Sequence, residues 1–238
     1  MLPQGMTFDR SDAYTRRYGG LFGPVRISSP SQPREAKGYN QEAELVSSMR
    51  KIMVFNYVTL DGFFAGPLGE IDWFKSIKKD KEFDKESHEQ AKSGGTVIYG
   101  HTTYEMMRNY WPTPEAMRGD PEMAKVVNNG EKIVFSRKLE NVEEGPNWKN
   151  VSLLKEITKD NITKLKKQKG RDMTVIGSGS VIRQLTDLGL IDEYQLMVVP
   201  VVLGNGKSFF TNVRQMDLEL IESKAYGNGL VRLRYRPV

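Results

Sequence analysis

Short runs of β-branched and aromatic residues, each cut off by a turn-forming residue, constrain this chain more than any other feature. Ile52–Leu60 reads IMVFNYVTL and stops at Asp61-Gly62. Thr96–Tyr99 (TVIY) stops at Gly100, Lys132–Phe135 (KIVF) at Ser136, and Met173–Ile176 (MTVI) at Gly177. Runs this short and apolar predict strands. Helix-forming sequence lies between them: the charged stretch 78–92 with Phe83 as its apolar anchor, Thr102–Arg108, and the basic stretch Asn161–Gln168. A further helix is predicted from Ser178 to Leu188, where Val181, Leu185 and Leu188 share a stripe beside Ile182. Val151–Leu154 reads as another short strand, and Glu193–Val202 as a long one running into Gly204-Asn205-Gly206. Leu218–Ala225 and Leu230–Arg236 flank Gly227-Asn228-Gly229, a hairpin signal. Val231, Leu233 and Tyr235 alternate with Arg232, Arg234 and Arg236, which predicts one buried and one wet face. Strand–helix alternation closed by an antiparallel hairpin predicts an α/β sandwich around one mixed, mostly parallel sheet.

Composition narrows the chemistry. The chain has no cysteine, so disulfides, thiolate nucleophiles and cysteine-based metal sites are excluded, and His88 and His101 are too few for a histidine metal cluster. A net charge of +5, from 35 basic against 30 acidic side chains, is thin for a nucleic-acid binder. No run approaches the ~18–20 apolar residues of a membrane-spanning helix. The first residues carry no apolar core of a secretory signal, which predicts a soluble, cytoplasmic protein. Residues 1–48 hold Gly19-Gly20, Pro24, Pro30, Pro33 and Ser28-Ser29 without sustained periodicity. They are expected to be an irregular N-terminal extension, with one domain over 49–238.

Three junctions carry the candidate chemistry. Gly177-Ser178-Gly179-Ser180, before Val181, lies between a strand and an amphipathic helix. Glycines there let backbone N–H groups approach a phosphate at a helix N-terminus, although a serine-capped tight turn would use the same residues. Gly100-His101-Thr102-Thr103 repeats the arrangement, with the threonines as alternative helix caps. Ser136 and Arg137 follow the strand KIVF, where a hydroxyl and a guanidinium can grip a phosphate, or simply form a polar loop. At the end of the first strand, Leu60-Asp61-Gly62-Phe63-Phe64-Ala65 begins a loop that is unusually apolar and punctuated by Gly66, Pro67 and Gly69. Such a loop can exclude water from a hydride transfer. Asp61 is the candidate polar group at the substrate end and Trp73 a candidate pocket wall.

TLDGFFAG, GEIDW, VIYGHTTYE, KIVFSRKL, VIGSGSVIRQL and LIDEYQLMVVPVVLGNGKSFF occur in one order along residues 50–237. As a set they resemble the dihydrofolate-reductase-like family, in particular the group similar to the C-terminal reductase domain of bifunctional riboflavin-biosynthesis deaminase-reductases. The resemblance implies a dihydrofolate-reductase-like three-layer sandwich and an NADPH-dependent reductase of a C=N or C=O group in a small heterocycle. It also implies a homodimer. In such a protein Gly100, His101, Thr102, Thr103, Gly177, Ser178, Gly179, Ser180 and Val181 would lie along the cofactor pyrophosphate. Ser136 and Arg137 would lie at the adenosine 2′-phosphate, and Leu60 to Ala65 over the nicotinamide. Two positions depart from the family pattern: His101 stands where many relatives have arginine, and Ile176 where riboflavin-pathway reductases usually have glutamate. Folate reductases hold the pterin with an acidic residue on the helix after this loop, for which Asp80, Glu82, Asp84 and Glu86 are the candidates. A dihydrofolate reductase, and a nucleotide-binding module without catalysis, are the two alternatives.

Overall fold

A computed structural model describes residues 49–238; the expectation for residues 1–48 lies outside them. Eight strands form one sheet in the order β4-β3-β2-β5-β1-β6-β8-β7. They are β1 (Ile52–Thr59), β2 (Thr96–Gly100), β3 (Lys132–Phe135), β4 (Val151–Leu154), β5 (Met173–Ile176), β6 (Glu193–Val199), β7 (Leu218–Ala225) and β8 (Val231–Pro237). The first six in spatial order run parallel, so their carboxyl ends share one edge. Strands β8 and β7 close the sheet antiparallel. The sheet and its hairpin are those the sequence predicts, with end shifts of one residue in β1 and β8 and a larger shortening in β6, which ends at Val199, before Pro200, which has no N–H to donate to the ladder.

Six helices connect the described strands: α1 (Lys81–Lys92), α2 (His101–Tyr110), α3 (Pro114–Gly119), α4 (Pro121–Asn129), α5 (Lys159–Lys167) and α6 (Gly179–Asp187). Sequence periodicity misses α3 and α4, which are short. Their local signals are nonetheless strong, because Thr113 and Asp120 cap them and proline occupies the first position of each. The principal core lies on one face of the sheet, where Ile52, Val54, Ile98 and Val175 meet Ile162, Ile182 and Leu185 of α5 and α6. Two satellite clusters cover the other face. One joins Tyr99 and Tyr104 to Val134 and Trp148, and the other joins Trp73 to Met197, Val199, Tyr226 and Leu230.

The hairpin departs from expectation in orientation. Its register puts Arg232, Arg234 and Arg236 on one face with Lys224, Glu222 and Glu219. That face is turned toward α1 rather than to open water: Arg232 and Lys224 both pair with Glu86 of α1. Lys224 first, then Tyr226 and Arg232, hold the Glu86 carboxyl down to about 2.

Candidate active site

Four of the six helices, α1, α3, α4 and α5, have a side-chain cap, from Asp80, Thr113, Asp120 and Thr158. The two without one, α2 and α6, are those that start at the carboxyl ends of the neighbouring strands β2 and β5. An uncapped N-terminus leaves backbone donors free and concentrates the positive end of the helix dipole. Two such ends lie side by side here and enclose a shallow cradle.

Local chemistry explains why this cradle holds its shape. The N–H of Gly100 donates to the Ser178 hydroxyl at 2.8 Å, and the Thr103 hydroxyl donates to the Gly177 carbonyl at 2.8 Å. Ser178 Oγ lies 3.1 Å from Thr103 Oγ1 and 2.9 Å from the Ile176 carbonyl. Both side chains are buried. Their hydroxyls therefore lock one junction to the other, while Thr102 and Ser180 stay exposed and His101 half-exposed at the rim. Gly177 has φ +64°, and a Cβ there would stand 3.0 Å from Thr103 Cγ2. Gly179 has no positive φ; it is small because a Cβ would come within 2.6 Å of the Phe64 ring. Gly100 and Val181 pack together, a Cβ on the glycine reaching 3.3 Å from Val181 Cγ2.

Sequence reasoning missed Asn56. It is buried inside β1, and its side-chain oxygen accepts the Gly177 N–H at 2.6 Å. A single amide in an otherwise apolar strand was the available signal, since a buried polar side chain needs a partner.

The loop after β1 is pinned over this edge. Phe64 N–H donates to the Lys207 carbonyl and Lys207 N–H to the Ala65 carbonyl, so the loop pairs with the segment after β6. Phe64 stacks on Phe209 at 4.2 Å between ring centres and rests against Gly179. Leu60 is exposed and Ala65 buried. Asp61 is exposed and fastens the pair: it accepts from the Thr59 hydroxyl at 2.6 Å and from the N–H groups of Leu203 and Gly204 at 3.1 and 2.7 Å. The Thr59 hydroxyl, then the Gly204 and Leu203 amides, hold its carboxyl below the usual range. Its stabilisation is therefore complete above the unfolded value of about 3.9 and is lost as pH falls through the folded one. Asp61→Asn is expected to melt below the parent at pH 7, with the gap closing as the solution is acidified. A gap that persisted undiminished in acid would assign the effect to shape instead of charge.

Trp73 lies on a 3-10 turn, Asp72–Ser76, is 7% exposed, and packs against Phe74. It is a floor residue of the satellite core, and its Nε1–H is buried without a partner among the described residues. Ser136 is also buried, and its Oγ accepts the N–H groups of Lys138 and Leu139, which turns the chain after β3. Arg137 beside it is exposed and has no ion-pair partner among the described residues. Of the acidic residues on and before α1, Asp80 caps the helix and Glu82 and Glu86 bind Lys224, leaving only the Asp84 carboxylate without a described partner.

Parallel strands extended by an antiparallel hairpin define a dihydrofolate-reductase-like α/β fold. The chain belongs to the family of the RibD C-terminal domain, whose model matches residues 50–232. It is 33% identical over 187 residues to the uncharacterized protein YyaP of Bacillus subtilis, covering 78% of this chain and 94% of YyaP. A putative riboflavin biosynthesis protein from Shewanella sp. PV-4 has a similar structure, with TM-score 0.63 at 23% identity over 79% of this chain and 99% of that one. Dihydrofolate reductase from Enterococcus faecalis, solved in complex with NADP(H), gives TM-score 0.50 at 16% identity over 79% and 96% of the two chains.

Proposed function

We propose that this protein is an NADPH-dependent reductase of a small heterocyclic substrate. The observation that carries the reading is the interlocked pair of uncapped helix N-termini at adjacent strand ends, packed closely where Gly100, Gly177 and Gly179 leave no room for a Cβ. The cradle suits a pyrophosphate, which needs several N–H donors and close backbone approach. The N–H groups of residues 101–103 and 179–181 would hold it, with Arg137 at the adenosine 2′-phosphate. Bound NADPH supplies a hydride for a C=N or C=O carbon. The protein's own part is to orient and to exclude water. Asp61 fastens the loop that lays Phe64 against Gly179, and its ionised carboxylate, already accepting three hydrogen bonds, positions that loop and does not donate a proton. The proton is assigned to water at the substrate.

Two departures bear on the substrate. Ile176 occupies the place of the glutamate usual in riboflavin-pathway reductases, and Asp84 is the only unpartnered acidic candidate for a pterin. A reducible heterocycle other than the phosphoribosylaminouracil of that pathway is therefore the favoured substrate. The test is a titration with NADPH and NADH, followed by absorbance of the reduced nicotinamide with a panel of heterocycles that includes dihydrofolate. Saturable NADPH binding with turnover on at least one of them is expected. Absence of binding would overturn the reading, and binding without turnover on any substrate would reduce the protein to a nucleotide-binding module.

A further inference from the structure

Of the two histidines, His101 stands at the rim of the cradle and His88, on α1, belongs to no part of the site. Both ring nitrogens of His88 are nonetheless engaged. Nδ1 lies 2.7 Å from the Asp84 carbonyl one turn back along α1, and Nε2 lies 3.0 Å from each carboxylate oxygen of Asp120. A carbonyl and an ionised carboxylate can only accept hydrogen bonds, so each requires an N–H from the ring. A neutral imidazole offers one N–H and an imidazolium two. The arrangement is therefore complete only when the ring is charged. The hydrogen bond to Asp120, then the one to the Asp84 carbonyl, hold the His88 pKa above its ordinary value against the lesser effect of burial. Glu122 of α4 adds attraction, although it is itself paired with Lys92 of α1. Asp84 and Lys92 share the side of α1 that carries His88, one turn before it and one after. The charges that β7 and β8 turn toward α1, Lys224 and Arg232, are taken up by Glu86.

We propose that His88 and Asp120 form a pH-operated clasp between α1 and the junction of α3 with α4, closed while the ring carries two N–H groups and loosened when it loses one. Asp120 is placed for both tasks. It follows the last residue of α3, and its carboxylate caps α4 by accepting the Met123 N–H at 3.0 Å. One carboxylate thus serves the helix start and the contact with α1. The two sides of the clasp lead to different ends of the candidate site. Helix α1 follows the loop and the 3-10 turn after β1, whereas α4 leads into β3, which ends before Ser136 and Arg137. The His88 and Asp120 side chains are 25% and 37% exposed, so the ring exchanges protons with solvent. Lys92 and Glu122 form a second link at the same junction, so opening the clasp loosens the junction without detaching it. Because folding raises the His88 pKa, its contribution is whole below the unfolded value of about 6.5 and is lost as pH rises through the folded one.

Two measurements on the full chain test the clasp, and neither needs a cofactor, so they stand or fall separately from NADPH binding. The first follows the ring C–H resonance of His88 through a pH titration, the signal being assigned by its loss in His88→Gln. Its midpoint is expected above that of the same histidine in the urea-unfolded chain. In Asp120→Asn the midpoint is expected to move back toward the unfolded one. Asparagine still caps a helix, so this variant removes the charge and keeps the start of α4. The second measurement is amide hydrogen exchange, corrected for the intrinsic effect of pH. Protection of the Met123 and Ala124 amides is expected to fall roughly 3- to 10-fold as pH rises through the His88 midpoint, the scale of a partly exposed charged hydrogen bond. Protection within α6 should show no such step. His88→Gln has no ring proton to lose, so its α4 amides should show none either. A midpoint at or below the unfolded one would overturn the proposal, as would one that Asp120→Asn leaves unchanged. A raised midpoint without a step in α4 would also overturn it, and so would a step that persists in His88→Gln.

Discussion

Gly177→Val is expected to cost about 2–6 kcal/mol of stability, the sum of two effects at one turn. The first is backbone strain: φ is +64°, a left-handed conformation that costs a β-branched residue about 1–3 kcal/mol. The second is crowding. A Cβ alone would stand 3.0 Å from Thr103 Cγ2, and the two valine methyls must push further into the locked junction, for about 1–3 kcal/mol more. At roughly 2–4 °C per kcal/mol for a domain of this size, the melting temperature should fall by about 8–16 °C for the middle of that range. Asn56→Ala acts on the same turn from the other side. It leaves the half-buried Gly177 N–H without its acceptor and should cost about 1–3 kcal/mol. The double variant should lose less than the sum, because either change alone already releases the turn. A Gly177→Val chain that melted with the parent would show that the turn is not held in this conformation, and the cradle geometry would go with it.

The second large effect falls on Arg137. NADPH differs from NADH by one 2′-phosphate, a dianion that calls for a charged donor. Arg137 is exposed at the carboxyl end of β3, and the buried Ser136 fixes the turn that presents it. Its planar fork matches phosphate oxygens, and hydrogen bonds to charged groups contribute roughly 1.5–3 kcal/mol, or about 10- to 150-fold in affinity. Arg137→Ala should therefore weaken NADPH by that order and leave NADH nearly unchanged, with the difference shrinking at high salt. Lys138 next to it is exposed as well and would draw the loss toward the lower figure. Dissociation constants for both cofactors, parent against variant, decide the matter. Equal losses for the two would make Arg137 a support of the fold, and no loss for either would move the adenosine end of the site elsewhere.

Much of this protein is legible in its sequence because the relevant physics is local. TVIY, KIVF and MTVI become strands since β-branched, apolar runs of four suit a sheet, and glycine or serine after each run ends it. The same residues that end the strands begin the candidate site, so Gly100 and Gly177 stand out by their place in the chain alone. The stripe Val181, Ile182, Leu185 marks the buried face of α6 for the same reason. Helices α3 and α4 escaped periodicity because one or two turns give too few repeats, although their capping residues were readable.

What the sequence leaves undetermined depends on contacts between distant segments. Nothing in Asp61-Gly62 distinguishes a solvent-facing turn from a clasp, and its partners Leu203 and Gly204 lie 142 and 143 residues away. Asn56 looks like a flaw in a strand until β5 is laid beside β1 and brings Gly177 to it. The hairpin makes the point most directly. Alternation of Val231, Leu233 and Tyr235 with three arginines states which side chains share a face, because successive residues of a strand point to opposite sides. It does not state which face meets a neighbour. That was decided by the acidic α1, whose Glu86 sits over the arginine face, so Arg232 and Lys224 are paired against the helix while Leu218, Leu220 and Ile221 are left exposed.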